Sequence, residues 1–207
     1  MKTIITIGRQ YGSGGKEIGR RVAEALGVPF YDEELAEAVA ESTNAHPDVV
    51  KSADEKATNS FLYSIVTSGR LRGINDVVQY EMPINDKVFI NQSKYIKEIA
   101  KNGGCVIVGR CADYVLRKAE NRISIFIYAP TDFKVKRIIE RHEGIDEKAA
   151  KELSQKTDKR RINYYNYYTG KKWGSPENYQ IMIDSSVLGV EGTAQALAAI
   201  IKAKYGI

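Results

Sequence analysis

Short apolar segments alternate along the chain with longer segments in which apolar residues recur at helical spacing. This pattern predicts strands over residues 3–7, 28–31, 105–108, 122–128 and 179–183. It predicts helices over residues 16–26, 87–101, 131–142, 146–168 and 190–205. Strands that alternate with helices form a parallel sheet covered on both faces, so the chain is predicted to be an α/β protein. Residues 46–86 show no clear period, and we expect helices outside the sheet there.

Two polar residues stand where predicted helices begin. Asp32 follows the second predicted strand, with Glu33 and Glu34 placed for a first helical turn. Thr131 follows Pro130 at the start of another helical segment. Because Asp and Thr side chains accept hydrogen bonds from N–H groups of a first turn, both are predicted to be N-caps. A ligand-binding role for Asp32 is compatible with capping.

A glycine-rich loop joins the first predicted strand to the first predicted helix. Its candidate phosphate-binding residues are Gly12, Ser13, Gly14, Gly15, Lys16 and Glu17. Glycines let backbone N–H groups converge on phosphate oxygens, and a helix N-terminus adds about half a positive charge. A lysine at the helix start reaches back over the phosphates. The loop is therefore predicted to bind phosphate, with a plain structural turn as the alternative.

The loop matches the P-loop pattern G-x-x-x-x-G-K-S/T only in part. Gly15 and Lys16 fit, but Gln10 takes the first glycine position and Glu17 takes the Ser/Thr position. The dinucleotide pattern G-x-G-x-x-G fails as well, because Glu17 stands where its third glycine belongs. Glu17 lacks the hydroxyl that usually meets magnesium, so the metal ligands remain unknown at this point.

Arginines mark further positions where phosphate chemistry is expected. Arg110 directly follows the strand 105–108, and ligands of open α/β sheets bind at the carboxyl ends of strands. Arg137 and Arg141 are four residues apart and share a helix face. The planar guanidinium of arginine binds phosphate oxygens bidentately. The alternative for the helix pair is a solvated basic face that pairs with Glu140 and Glu143.

Other candidate residues favour structure over chemistry. Tyr164 and Tyr168 share a helix face and are predicted to pack against the core rather than stack on a base. His142 and His46 are too few for a metal site and have no evident catalytic partner. The two cysteines, Cys105 and Cys111, are predicted to be small buried apolar residues.

Composition narrows the class of protein. The 207 residues are 43% hydrophobic and 28% charged, which excludes disorder, collagen and coiled coil. Two cysteines do not make a disulfide scaffold and fit a reducing cytoplasm. No apolar run is long enough to cross a membrane, and the N-terminal apolar stretch is interpreted as a strand rather than a signal peptide. We therefore expect one cytoplasmic domain.

The net charge of +5 is unevenly distributed. Residues 29–56 carry eight acids and two bases, a net of −6, whereas residues 151–172 carry seven bases and two acids, a net of +5. A local basic cluster suits a phosphate-bearing small molecule as well as it suits nucleic acid. An RNA-binding protein is the weaker alternative, because no RNA motif is present and the acidic segment would repel a long backbone.

Several blocks together resemble the cytidylate kinase-like proteins, relatives of the P-loop nucleoside monophosphate kinases. Residues 7–21 read IGRQYGSGGKEIGRR, and residues 27–32 read GVPFYD. Val108-Gly109-Arg110 resembles the "GR" segment of the family. Asp158-Lys159-Arg160-Arg161, with the tyrosines and residues 169–174 (TGKKWG), resembles its lid. The resemblance covers nearly the whole chain and is weakest over residues 45–90.

The resemblance implies a three-layer α/β/α P-loop NTPase fold with a five-stranded parallel sheet. It implies a helical acceptor-binding insertion over roughly residues 32–90 and a basic lid over roughly residues 142–178. ATP with Mg²⁺ would be the donor, and a nucleoside monophosphate such as CMP the acceptor. Lys16 would hold the donor and Arg110, Asp158 and Arg161 would bind the acceptor, with Lys16, Asp158 and Arg161 catalytic. From their positions along the chain, Asp32 is a further acceptor-binding candidate, and Arg137, Arg141 and Arg160 are lid candidates.

The chain departs from the family pattern at two positions. Glu17 replaces the hydroxyl residue, and Val108 replaces the Asp that precedes "GR". Both changes weaken the usual magnesium arrangement, for which Asp32 or Ser13 are the candidate substitutes. They also keep open a nucleotide-binding module that has lost catalysis. The expected partners are small-molecule nucleotides, with neither nucleic acid nor membrane, and the oligomeric state is open.

Overall fold

A parallel sheet of five strands forms the centre of the protein. The structure, a computed structural model, describes residues 3–32 and 84–206. The strands are β1 (Ile4–Arg9), β2 (Phe30–Tyr31), β3 (Cys105–Val108), β4 (Arg122–Tyr128) and β5 (Ile181–Asp184). They lie in the order β2-β3-β1-β4-β5, and every neighbouring pair is parallel. The predicted α/β class and five-stranded parallel sheet are confirmed.

Helices cover both faces of this sheet. They are α1 (Gly15–Leu26), α2 (Ile84–Lys101), α3 (Ala112–Val115), α4 (Thr131–Arg141), α5 (Glu147–Thr169) and α6 (Gly189–Tyr205). A 3-10 turn, Pro176–Asn178, precedes β5. Within the described ranges, no helix is long and apolar enough to span a membrane.

The alternating side chains of the strands build two separate cores. Ile5, Ile7 and Val106 pack with α1 and α6 on one face. Ile4 and Ile107 pack with α2 and α3 on the other face. Because successive side chains point to opposite faces and both faces are covered, the central strands are largely apolar on both sides. This burial fixes the carboxyl ends of β1, β2 and β3 side by side.

Strand and helix ends differ from the sequence prediction where local hydrogen bonds compete. Val28 is predicted to begin a strand, but its N–H donates to the Ala23 carbonyl and closes the C-terminus of α1 through Gly27, whose φ is +63°. The last strand begins at Ile181 rather than at residue 179, because Tyr179 ends the 3-10 turn.

The predicted caps have different outcomes. Thr131 is the first residue of α4, and Pro130 holds the N-cap position, so the N-cap prediction for Thr131 is wrong. Asp146 caps α5 by accepting a hydrogen bond from the Ala149 N–H at 2.7 Å. The helix predicted to begin at Asp32 lies outside the described residues, as does most of the predicted insertion.

Candidate active site

A cleft of about 310 Å³ opens at the carboxyl ends of the central strands. Arg9 ends β1, Asp32 follows β2 and Arg110 follows β3, so these side chains meet at one edge of the sheet. Helix α4 closes the other side. The lining residues are Arg9, Gln10, Tyr11, Gly12, Gly14, Gly15, Lys16, Asp32, Arg110, Arg137, Ile138, Arg141, His142 and Arg161. The cleft thus contains most of the residues predicted to bind phosphate.

The glycine loop presents the N-terminus of α1 to this cleft. Gly14 is the N-cap, and Gly15 and Lys16 are the first helical residues. The first N–H groups of a helix have no partner within the helix, so they are available to an anion. Ser13 instead braces the loop, because its buried hydroxyl donates to the Gln10 carbonyl at 2.8 Å. The Ser13 carbonyl in turn accepts a 2.7 Å hydrogen bond from Ser185, which ties the loop to the end of β5.

Asp32 lies among cations at the floor of the cleft. Its carboxylate is 3.0 Å from Lys16 Nζ and 3.9 Å from Arg9 Nη2, and the residue is buried. Burial, with a smaller contribution from the charge of Arg9, lowers the pKa of Arg110 to about 10, whereas Tyr164 and Asp32 oppose the shift. Arg110 therefore remains charged at neutral pH although its guanidinium group is largely buried.

The backbone at Arg110 is strained. Arg110 and Cys111 have φ values of +55° and +53°, in the left-handed region that side chains with a Cβ avoid. Such conformations cost free energy and are concentrated at functional sites, where the surrounding structure enforces them. Here the turn directs the chain from β3 into α3 and leaves Arg110 lining the cleft.

Asp158 and Arg161 connect α5 to the main chain of the loop. Asp158 Oδ1 accepts a 2.7 Å hydrogen bond from the Tyr11 N–H, and Lys134 Nζ lies 3.5 Å from Oδ2. Arg161 donates to the Arg9 carbonyl at 3.0 Å. Burial raises the pKa of Asp158, while the Tyr11 N–H, Lys134 and Arg161 oppose the rise. Arg161 lines the cleft, whereas Asp158 does not.

Glu17 pairs with the arginines of α4. Its Oε2 accepts from Arg137 Nη2 at 3.0 Å and also from Arg141 Nη2, and its Oε1 accepts from Arg21 at 3.2 Å. Although partial burial raises the pKa of Glu17, the hydrogen bonds of Arg21 and Arg137 and the charges of Arg137 and Arg141 hold it below its ordinary value. Arg137 and Arg141 therefore pair with the P-loop helix and not with Glu140 or Glu143.

The remaining lid candidate lies elsewhere. Arg160 is exposed, and its guanidinium bonds Thr157 of the same helix at 3.4 Å. The predicted packing role of the tyrosines is confirmed, since Tyr164 is buried in a cluster with Tyr165 and Tyr168. Cys105 and Cys111 are both buried, as predicted.

Sequence reasoning misses two contacts of the loop. His142 has no partner that the sequence reveals, but its Nε2 is 3.0 Å from the Tyr11 hydroxyl, and both residues line the cleft. Lys134 lies 3.2 Å from Gln10 Oε1 as well as near Asp158. The pairs with Tyr11 and Gln10 are separated by more than a hundred residues in the sequence, so no spacing signal points to them. Lys134, Arg137 and Arg141 do share one face of α4, and that periodicity is readable.

The acidic residues around the cleft limit where a metal ion can bind. In the ranges 3–32 and 84–206, no cluster of three or more metal-ligating side chains occurs. Asp32 is the one acidic residue among the described residues that line the cleft. Mg²⁺ is commonly held by one or two carboxylates together with substrate phosphates, so a single carboxylate beside the glycine loop and the N-terminus of α1 fits this ion.

Comparisons with known proteins agree with this geometry. A family model described as the cytidylate kinase-like family matches residues 4–187. An uncharacterized protein from Eubacterium ventriosum is 30% identical, with a TM-score of 0.71 over 97% of this chain and 98% of that one. A shikimate kinase from Bacteroides thetaiotaomicron is 13% identical, with a TM-score of 0.53 over 97% and 98% of the two chains.

A gluconokinase from Sinorhizobium meliloti 1021 is 14% identical, with a TM-score of 0.53 over 99% of this chain and 96% of that one. At such low identity, the two kinases show the fold alone. No curated protein matches the chain.

Proposed function

Because the chain belongs to the cytidylate kinase-like family, we propose that it is a phosphotransferase that moves the terminal phosphoryl group of ATP to a nucleoside monophosphate such as CMP. The observation that carries the proposal is the charge of the cleft. Among the described residues, six Lys and Arg side chains and one carboxylate line it, at the N-terminus of α1. The cations are Arg9, Lys16, Arg110, Arg137, Arg141 and Arg161.

A cleft lined by cationic side chains suits phosphoryl transfer. Phosphoryl transfer needs in-line positioning and stabilisation of the charge that spreads over the moving group, and little covalent help from the protein. In our proposal the loop N–H groups and Lys16 hold the donor phosphates. Arg110 and Arg161 orient the phosphate of the acceptor, and Asp158 fixes the loop against α5. Asp32 would hold Mg²⁺, which supplies charge neutralisation on the donor phosphates when bound.

Lys16 is pre-positioned for this role. Its ammonium group pairs with Asp32 at 3.0 Å, and both residues line the cleft. A donor phosphate offers Lys16 a second anion of higher charge, and a cation at Asp32 restores the balance there. The expected partners are thus small-molecule nucleotides, and the concave cleft favours them over an extended nucleic acid backbone.

A nucleotide-binding module without catalysis is the second candidate. Two observations favour it: Glu17 takes the hydroxyl position of the loop, and Val108 is fully buried where the family pattern has an Asp. Such a protein would bind ATP in the same cleft and transfer nothing.

The test is transfer from ATP to each common nucleoside monophosphate in the presence of Mg²⁺, followed by ADP release. We expect turnover with one acceptor and its loss in Lys16→Ala. Lys202→Ala is the matched control, because Lys202 is exposed on α6 and away from the cleft. ATP binding without turnover on any acceptor would contradict the phosphotransferase and favour a nucleotide-binding module without catalysis. Tight RNA binding with a steep salt dependence, unaffected by Lys16→Ala, would indicate a nucleic-acid partner.

A further inference from the structure

Glu17 breaks the P-loop pattern, and its contacts suggest what it does instead. It lies in the first turn of α1, directly after Lys16. Two arginines of α4 share its Oε2, and both arginines line the cleft, whereas Glu17 does not. The carboxylate thus contacts both guanidinium groups without itself lining the cleft.

Arg137 is held directly above the glycine loop. A Cβ built on Gly14 would lie 3.4 Å from Arg137 Nη2 and 3.5 Å from its Cζ, so the guanidinium packs against the main chain of the loop. Glu17 engages Nη2 of this group. The Nε atom of Arg137 is buried and has no hydrogen-bond acceptor among the described residues. Because a buried charged donor without an acceptor is costly, this N–H is suited to an anion placed over the loop.

We propose that Glu17 is a positioning residue that anchors Arg137 and Arg141 over the phosphate loop, so that both arginines contact the donor phosphates. The residue type at position 17 would then decide whether a metal ion or arginine side chains neutralise the phosphate charge. A hydroxyl binds a metal ion, whereas a carboxylate holds two cationic side chains. This inference rests on the proposed function, since it assumes that the loop binds ATP.

The opposite role of Glu17 would be competition. In that case the carboxylate occupies the arginines in the empty protein, and phosphate must displace it. The geometry favours anchoring, because Arg137 already packs against Gly14 while it is paired with Glu17. The low pKa of Glu17 keeps the anchor ionised at neutral pH.

The two roles predict opposite results in a double-mutant cycle on ATP affinity, measured by calorimetry. Under anchoring, Glu17→Gln and Arg137→Gln each weaken ATP binding about tenfold, the usual loss for one charge-assisted hydrogen bond. The double variant should then lose little more than either single variant, because an arginine that has lost its anchor is already misplaced. If the two residues acted independently, their effects would multiply, and the double variant would bind ATP about a hundredfold more weakly than wild type.

A second cycle with Arg141→Gln keeps the test valid if Arg137→Gln is unstable, since Arg141 is half exposed. Glu191→Gln is the matched control. Glu191 shares Arg21 with Glu17 but does not pair with the α4 arginines, so the same charge change should leave ATP affinity unchanged.

Tighter ATP binding by Glu17→Gln would overturn the proposal in favour of competition, and multiplying losses would overturn it in favour of independent effects. Either result would leave Lys16-dependent phosphate transfer intact. A wild-type protein that shows the coupled cycle but transfers phosphate to no acceptor would contradict the proposed function and leave the anchoring role. A wild-type protein that does not bind ATP would contradict both.

Discussion

Comparing Gly12→Ala with Gly27→Ala should separate the steric cost from the conformational cost of adding a Cβ in the glycine loop. Gly12 has a φ of +83°, and an added Cβ would lie 2.9 Å from both the Cβ and the carbonyl oxygen of Lys134. Gly27, at the other end of α1, has a φ of +63° and nothing within 4 Å of an added Cβ. The two substitutions therefore share the conformational cost and differ in the collision with α4.

The expected free energies follow from these contacts. A left-handed conformation costs an L residue roughly 1–2 kcal/mol, and this is the whole effect expected for Gly27→Ala. The collision with α4 should add about 1–3 kcal/mol in Gly12→Ala, since a backbone carbonyl cannot turn aside as a side chain can. Gly12→Ala should also displace α4 and with it Arg137, which lowers ATP affinity.

Urea unfolding and calorimetric ATP binding measure the two effects. Gly12→Ala should unfold at a clearly lower urea concentration than Gly27→Ala, and only Gly12→Ala should bind ATP more weakly than wild type. Equal losses of stability in the two variants would refute the argument, because they would show that α4 does not press against the loop.

Three further predictions concern buried groups. Ser185→Ala should lower the free energy of unfolding by about 1–3 kcal/mol in urea melts, because the buried Ser13 carbonyl loses its 2.7 Å donor. Arg110→Met should raise the KM for the monophosphate acceptor about tenfold, because the acceptor phosphate loses a charged partner. The free energy of unfolding should stay within about 1 kcal/mol of wild type, since methionine avoids the desolvation cost of a buried charge. A large loss of stability would contradict this. Burial raises the pKa of Cys105 to about 11 from 9.0, so its thiol should react slowly with a thiol reagent at pH 9 until urea is added. Between pH 9 and 11 the folded state keeps the thiol proton that the unfolded state loses. The Cys105 thiol therefore favours folding below pH 9, and this contribution to stability is lost as the pH rises through about 11.

The bounds of strands and helices can be predicted from the sequence where local hydrogen bonds or complete burial determine them. Strands β3 and β4 are predicted with both ends correct, because both are short, mostly apolar segments that are buried on both faces. The C-terminus of α1 is predicted from Gly27, yet the residue after it is wrongly assigned to a strand. A hydrogen bond from Val28 back to Ala23 decides that boundary, and apolar character alone does not reveal it.

The candidate site is predictable as a set of residues but not as a set of contacts. The glycine loop, Arg110 and Asp32 can be placed together because strand ends meet at one edge of a parallel sheet. The partners of Glu17 cannot, since Arg137 and Arg141 follow it by more than a hundred residues and reach it only because β4 lies beside β1. For the same reason the sequence does not reveal the Tyr11–His142 contact. The functional roles assigned to these residues stay predictions.

Three side chains of α5 hydrogen-bond the backbone of Arg9 and Tyr11, and they are Ser154, Asp158 and Arg161. Asp158 and Arg161 lie near the middle of its 23 residues, with about 17 Å of helix before Asp158 and about 12 Å after Arg161. The C-terminal part of α5 is held as well, because Tyr165 donates a hydrogen bond to Asp113 of α3 and Tyr168 donates one to Asp86 of α2. A shift of the backbone at Tyr11 would therefore be passed through α5 to α2 and α3, which pack together on one face of the sheet.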